Sequence, residues 1–239
     1  YVEEFRKKHN CTVLCSTFFN HLFVKQYPNI LFLEPNTNVE NIYTQYYIGA
    51  ENETESKYSP IQTDSNPLQM VASKILGLDH TEVRPKLELG MYRKTYNKKY
   101  VCISEHASHE KKQWKDPNGW QKIVDFLNES GYDVVVISKE PTCLKNVIDL
   151  TGNIPIKDRM QTLLDAEFFI GVSSGLSWLS WSVNTHVFLI SDVTPLNHEF
   201  HNGITRISCN PHIETINYSL DNMTTSDTVI DLIKNHILQ

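Results

Sequence analysis

Apolar positions in this chain occur in two spacings, short unbroken runs and stretches recurring every three to four residues, and they alternate most regularly after residue 98. The unbroken runs lie at 100–104, 133–138, 168–172, 187–191 and 204–208. Val134-Val135-Val136-Ile137 has the continuous β-branched character of a strand covered on both faces, the mark of a parallel sheet beneath helices. Between the runs, Pro117-Asn118-Gly119-Trp120 opens a helix that reaches Ser130 and is stopped by Gly131. Further helices are expected near 143–148, at 156–166, after Gly175, and at 225–238, the last capped by Ser226 and Asp227. Five strands with helical crossovers predict a Rossmann-like domain.

The first part of the chain is less regular. Residues 1–9 read as an amphipathic helix already under way at Tyr1, with no Met or N-cap before it, as expected of a fragment of something longer. A strand at 11–16, a helix at 18–26 and a strand at 30–33 follow, closed by Glu34-Pro35. Residues 36–66 are polar and tyrosine-rich and read as a loop or short irregular strands, and 68–76 as a helix stopped by Gly77. Periodicity fades and charge rises over 85–98, which places a linker there. The expected division is therefore a partial N-terminal α/β domain with its linker at 1–97 and a C-terminal Rossmann-like domain at 98–239.

Composition narrows the function classes. In 239 residues, 40% hydrophobic, no apolar run approaches the length of a membrane span, so no transmembrane segment is expected. A net charge of -6 supplies no obvious basic face, which argues against nucleic acid as a partner. Five cysteines, Cys11, Cys15, Cys102, Cys143 and Cys209, are an odd number in largely apolar surroundings and read as reduced thiols, which favours a cytoplasmic location. Cys11 and Cys15 have no second ligand pair at zinc-site spacing, and His106 and His109 lack a third ligand, so no metal is expected.

The chemistry concentrates where strands end. Gly171-Val172-Ser173-Ser174-Gly175-Leu176-Ser177 takes a strand through small hydroxyl residues into a helix, so unpaired N–H groups and the helix dipole favour a phosphate or diphosphate. A tight turn without ligand, with Trp178 and Trp181 as core, is the plain alternative. After the first strand of the C-terminal domain, residues 105–114 carry two histidines, Ser108 and Lys112, either a phosphate grip or a solvated loop. Lys139-Glu140 follows the next strand, where nucleotide folds place an acid on ribose hydroxyls, or is a plain surface pair, and Thr151-Gly152-Asn153 forms a turn. Neither Gly-x-Gly-x-x-Gly after a first strand nor Gly-Lys-Ser/Thr is present, which weighs against dinucleotide oxidoreductases and P-loop ATPases. Gly171-Val172-Ser173-Ser174-Gly175 also satisfies the bare Gly-x-Ser-x-Gly pattern, so a serine hydrolase using Ser173, or a triad of Ser174, His198 and Asp192, is a minor alternative.

Taken together, Tyr100-Val101-Cys102-Ile103-Ser104, Lys112-Gln113-Trp114, Pro117-Asn118-Gly119-Trp120, Val135-Val136-Ile137-Ser138-Lys139-Glu140 and the run Gly171 to Trp181 resemble the bacterial autotransporter heptosyltransferases of glycosyltransferase family 9. Residues 1–19, Tyr27-Pro28-Asn29-Ile30 and 75–87 resemble that family's N-terminal domain. The resemblance implies a GT-B-like α/β fold and transfer of a sugar, usually heptose, from an ADP-linked donor to a hydroxyl of a protein or glycan acceptor. It implies inversion, no catalytic metal and no cofactor beyond the ADP-sugar substrate.

By the same resemblance Lys112 contacts donor phosphate, with Ser108 in its loop. Ser173, Ser174, Gly175, Leu176 and Ser177 cradle the diphosphate, Glu140 approaches the ribose, and Gly152, Asn153 and Ile154 meet the nucleobase. The family's general base, an aspartate, is expected upstream of Tyr1 and is assigned to no residue here. Autotransporter members also carry a cysteine-rich metal-binding finger near the C-terminus, where this sequence offers Cys209. A nucleotide-sugar-binding module without turnover is the alternative to an enzyme.

Overall fold

The computed structural model describes residues 1–48, 67–191, 199–207 and 224–238. Among them the chain forms two compact units: Tyr1–Leu89 with Glu199 and Phe200, and the remainder from Gly90 onward.

In the first unit, helix α1 (Val2–His9) leads to strand β1 (Leu14–Ser16), a 3₁₀ turn at Asn20–Leu22, strand β2 (Leu31–Leu33) and helix α2 (Leu68–Ile75). The two strands are parallel, with Leu14 opposite Leu31 and Ser16 opposite Leu33. Glutamates begin α1 and basic residues end it, matching the helix dipole. The helix expected over 18–26 is only the 3₁₀ turn and further turns. The Leu22 carbonyl that a continuing helix would use accepts instead from the Glu88 N–H at 2.8 Å.

The second unit is a parallel sheet under helices. Its strands are β3 (Tyr100–Ser104), β4 (Asp133–Val136), β5 (Ile148–Asp149), β6 (Phe169–Val172), β7 (Val187–Ile190) and β8 (Ile204–Ile207). The helices are α3 (Gly119–Glu129), α4 (Ile156–Leu164), α5 (Gly175–Ser182) and α6 (Ser226–Ile237). All pairings are parallel in the order β5-β4-β3-β6-β7-β8, so among the described residues the sheet has six strands rather than five. The added edge strand stands where a helix near 143–148 was expected. Pro141 begins that stretch, and Asn146 adopts a left-handed φ of 58°, a turn conformation that breaks a helix before the β-branched pair Val147-Ile148 reaches β4.

Residues of β3, β4, β6 and β7 are almost all inaccessible to solvent, as the unbroken runs require of strands covered on both faces. Ile123, Val124 and Leu127 of α3 and Val229 and Ile233 of α6 join them in one core. At the end of α3, Gly131 takes a φ of 88° and its N–H closes on the Asn128 carbonyl while Tyr132 N–H returns to Leu127, the hydrogen-bonded stop that a side chain would strain. The N-cap of α6 is Thr225, one residue before the expected pair, and its hydroxyl accepts from the Thr228 N–H. Asp227 lies in the first turn, where its charge meets the dipole.

Candidate nucleotide-sugar site

The chain runs from β3 outward through β4 to β5, then returns beside β3 as β6 and proceeds outward through β7 to β8. The loops after β3 and β6 therefore diverge, which makes their carboxyl ends the point in this sheet where a crevice opens. Ser104 pairs with Gly171 across these strands, so residues 105–112 and the turn Ser173-Ser174 rise side by side.

At that turn β6 passes directly into α5. Ser174 is the N-cap, extended at φ -146°, ψ 170°, but its side chain caps nothing. Its Oγ is shielded from solvent and has no hydrogen-bond partner among the described residues. A buried, unpaired hydroxyl beside the free N–H groups of a helix start is a binding position without an internal partner. Ser173 is buried, and Gly175 is exposed with open space where a side chain would project. Leu176 is half-buried. Ser177 turns its hydroxyl inward, donating to the Val172 carbonyl at 2.6 Å, so only its backbone is left to face an anion. That bond fastens the first turn of α5 to the end of β6.

Across the switch point, Lys112 ends a 3₁₀ turn, Glu110–Lys112, half-buried and with no partner for its ammonium among the described residues. Ser108 is exposed at the bend before it. The loop is fixed just downstream. Trp114 is buried, stacks edge-on against Trp120 at 5.2 Å, and donates its indole N–H to the Thr224 carbonyl at 2.7 Å. Asp116 accepts from the Ser226 N–H at 3.0 Å, tying the same loop to the start of α6. His106 lies 3.1 Å from the Glu105 carboxylate.

On the other side, the loops after β4 and β5 are joined to one another. Gly152, at φ 98°, donates its N–H to the Lys139 carbonyl at 3.0 Å, a turn that a side chain would strain. Glu140 and Asn153 are exposed, and Ile154 is half-buried. Arg159, which belongs to none of the sequence motifs, donates its Nη2 to the Gly152 carbonyl at 2.5 Å and more weakly to the Ser138 carbonyl at 3.4 Å. Burial draws its guanidinium below the ordinary value, and the charge of Glu140 opposes that shift. A signal was present: Arg159 stands four residues before Leu163 and so on the apolar face of α4. Ser104 and Ser138 complete the floor with paired hydroxyls 3.2 Å apart.

A hollow in the first unit is lined by Tyr1, Cys15, Phe23, Tyr27, Ile30 and Phe32. Its walls are largely apolar, and burial raises the Cys15 thiol, which leaves that sulfur a poor nucleophile. Asp192 and His198, the partners for a serine triad, lie outside the described residues, as does Cys209.

Residues 43–195 match the model of glycosyltransferase family 9, the heptosyltransferases. The chain belongs to this family. It is 32% identical over 236 residues to the autotransporter heptosyltransferase Aah of Escherichia coli, covering 92% of this chain and 60% of that protein. The autotransporter heptosyltransferase TibC of E. coli O78:H11 is 30% identical over 213 residues, 84% of this chain and 52% of that protein. A crystal structure of TibC, described as a bacterial iron-containing dodecameric glycosyltransferase, superposes with a TM-score of 0.86 at 25% identity, covering all of this chain and 72% of that one. The α/β architecture is thus that of the GT-B heptosyltransferases. The chain spans between about half and three-fifths of the length of these curated relatives.

The iron in TibC corrects the expectation that no metal or cofactor accompanies this fold. The residues described here do not fit an iron centre. Cys102 is fully buried in β3, where burial raises its thiol, Cys143 is exposed, and Cys11 and Cys15 are partly covered in the first unit. No three His, Cys, Asp or Glu side chains among the described residues converge on one point. Among the described residues no helix is long and apolar enough to cross a membrane.

Proposed function

We propose that this chain carries the donor site of a heptosyltransferase, which moves a heptose from an ADP-linked donor to a hydroxyl of a protein or glycan acceptor, with inversion, in the cytoplasm. The observation that carries the reading is the start of α5 at the switch point, where the Ser174 hydroxyl and backbone N–H groups stand across from Lys112, both side chains unpaired among the described residues. The donor's bond to its diphosphate breaks as the acceptor oxygen bonds to the anomeric carbon, and negative charge grows on the departing ADP. Fixed N–H donors and a lysine stabilise that charge more in the transition state than in the substrate, which is what lowers the barrier. In this arrangement Ser173, Ser174, Gly175, Leu176 and Ser177 hold the diphosphate, with Lys112 opposite and Ser108 at the mouth. Glu140 takes the ribose, and Gly152, Asn153 and Ile154 the base. TibC has been crystallised with ADP-D-β-D-heptose, which supports this donor class.

The acceptor's proton has no assigned base among these residues, and this keeps a second reading in view, a module that binds the nucleotide sugar without turnover. BimC of Burkholderia thailandensis, 30% identical over 213 residues, is described as an inactive autotransporter heptosyltransferase. Incubation with ADP-heptose and a serine-rich autotransporter passenger separates the two. Release of ADP together with a one-heptose mass increase on the passenger supports transfer. Calorimetric binding of ADP-heptose without either product supports the module, and absence of binding refutes both.

A further inference from the structure

Arg159 is a cation buried to 8% exposure whose hydrogen bonds, among the described residues, go only to neutral carbonyls. Its Nη1 is sealed from solvent and has no partner there. Burying a guanidinium is costly unless it is paired, and a half-satisfied one is an arrangement that packing by itself does not favour. What the arrangement achieves is geometric. One nitrogen spans the carbonyl that leaves β4, at Ser138, and the carbonyl of the Gly152 turn after β5. The second link between these loops is the Gly152 N–H bond to Lys139. Gly152 therefore donates to one loop through its N–H while its carbonyl is held from below by α4. Glu140 lies between the two held residues in sequence and is close enough for its charge to act on Arg159.

We infer that Arg159 is a positioning residue that sets the nucleoside half of the donor pocket, holding the Glu140 and Gly152–Asn153 loops in register without touching the diphosphate. The inference rests on the reading of this site as an ADP-sugar site. A planar guanidinium reaches two carbonyls at fixed directions, which an ammonium does less well and an apolar chain not at all. Because Arg159 acts on the loops after β4 and β5, its loss should fall equally on every ligand that contains the nucleoside. The diphosphate cradle at α5 belongs to β6 and should be unaffected.

The test compares AMP and ADP binding by calorimetry in the full chain and its Arg159→Met and Arg159→Lys variants, with amide exchange followed over residues 139–154. Arg159→Met is expected to weaken AMP and ADP by the same factor, about tenfold, and to speed exchange in that segment. Arg159→Lys, which keeps a donor for the two carbonyls, is expected to weaken AMP and ADP equally by about threefold with a smaller rise in exchange, and the same criteria are read on it alone if the methionine variant does not fold. Affinity within twofold of wild type overturns the inference. So does a loss confined to ADP, which would make Arg159 a diphosphate contact, and so does exchange that stays unchanged. Failure of the wild-type chain to bind ADP would instead overturn the reading of the site itself.

Discussion

Gly175→Ala should make the protein more stable and a poorer binder of nucleotide, two effects of opposite sign from one methyl group. Gly175 is the first residue of α5, exposed, outside the left-handed region, and a Cβ built there meets nothing within 4 Å. Replacing glycine by alanine at a compatible position removes freedom from the unfolded chain and gains about 0.4–1 kcal/mol. For a chain of this size that is a rise in melting temperature of roughly 1–4 °C. The same methyl projects into the space where a diphosphate oxygen would meet the N–H groups of the helix start. Loss of one charge-assisted hydrogen bond costs about 1.5–3 kcal/mol, or roughly 10- to 150-fold in the dissociation constant for ADP. Thermal melting and ADP titration on the same preparation measure both. A higher melting temperature with ADP affinity within twofold of wild type would refute the cradle, and a lower melting temperature would refute the open space.

Lys112→Gln should weaken ADP about tenfold and flatten the salt dependence of binding while leaving the melting temperature unchanged, because its ammonium has no described partner; calorimetry at two ionic strengths reads this. Gly119→Ala should destabilise the protein by about 1–3 kcal/mol in urea titration, since a Cβ there would stand 2.3 Å from Trp114 Cη2 and the buried ring has little room to move. The fluorescence of Trp114 should shift with it. His186 is bonded to Thr205 at 2.9 Å and stacked on His236 at 4.6 Å, and burial, aided by the charge of His236, lowers it from 6.5 to about 4. The unfolded state thus binds the proton more readily between these values, so the stabilisation is complete above about pH 6.5 and is lost as pH falls toward 4. After discounting for solvent screening this amounts to about 1 kcal/mol at pH 4.5. Urea midpoints at pH 7 and 4.5 should converge in His186→Gln, and an unchanged difference would refute the assignment.

Much of the second unit could be read directly from residue order. Val134 to Ile137 had to be a covered strand because four consecutive β-branched side chains point to alternate faces and none can be wet. Gly131 marked the end of α3, and Ser173-Ser174-Gly175 marked a strand turning into a helix. These features were legible because each depends on neighbours within one or two turns. The helix expected at 143–148 failed for the opposite reason. Ile148-Asp149 is a strand only because Val135 and Val136 offer their open edge, a partner that local propensity does not contain.

Residue order alone was enough for most elements of the second unit and for the residue types at their ends: hydroxyls and glycine after one strand, a lysine after another, an acid after a third. Long-range packing set which of those ends meet. It set β3 beside β6, left the Ser174 hydroxyl unpaired among the described residues while turning that of Ser177 into the fold, and drove Arg159 against the Gly152 turn. Residue types fix what a group can donate or accept. Which groups are left without an internal partner is settled only when distant segments pack.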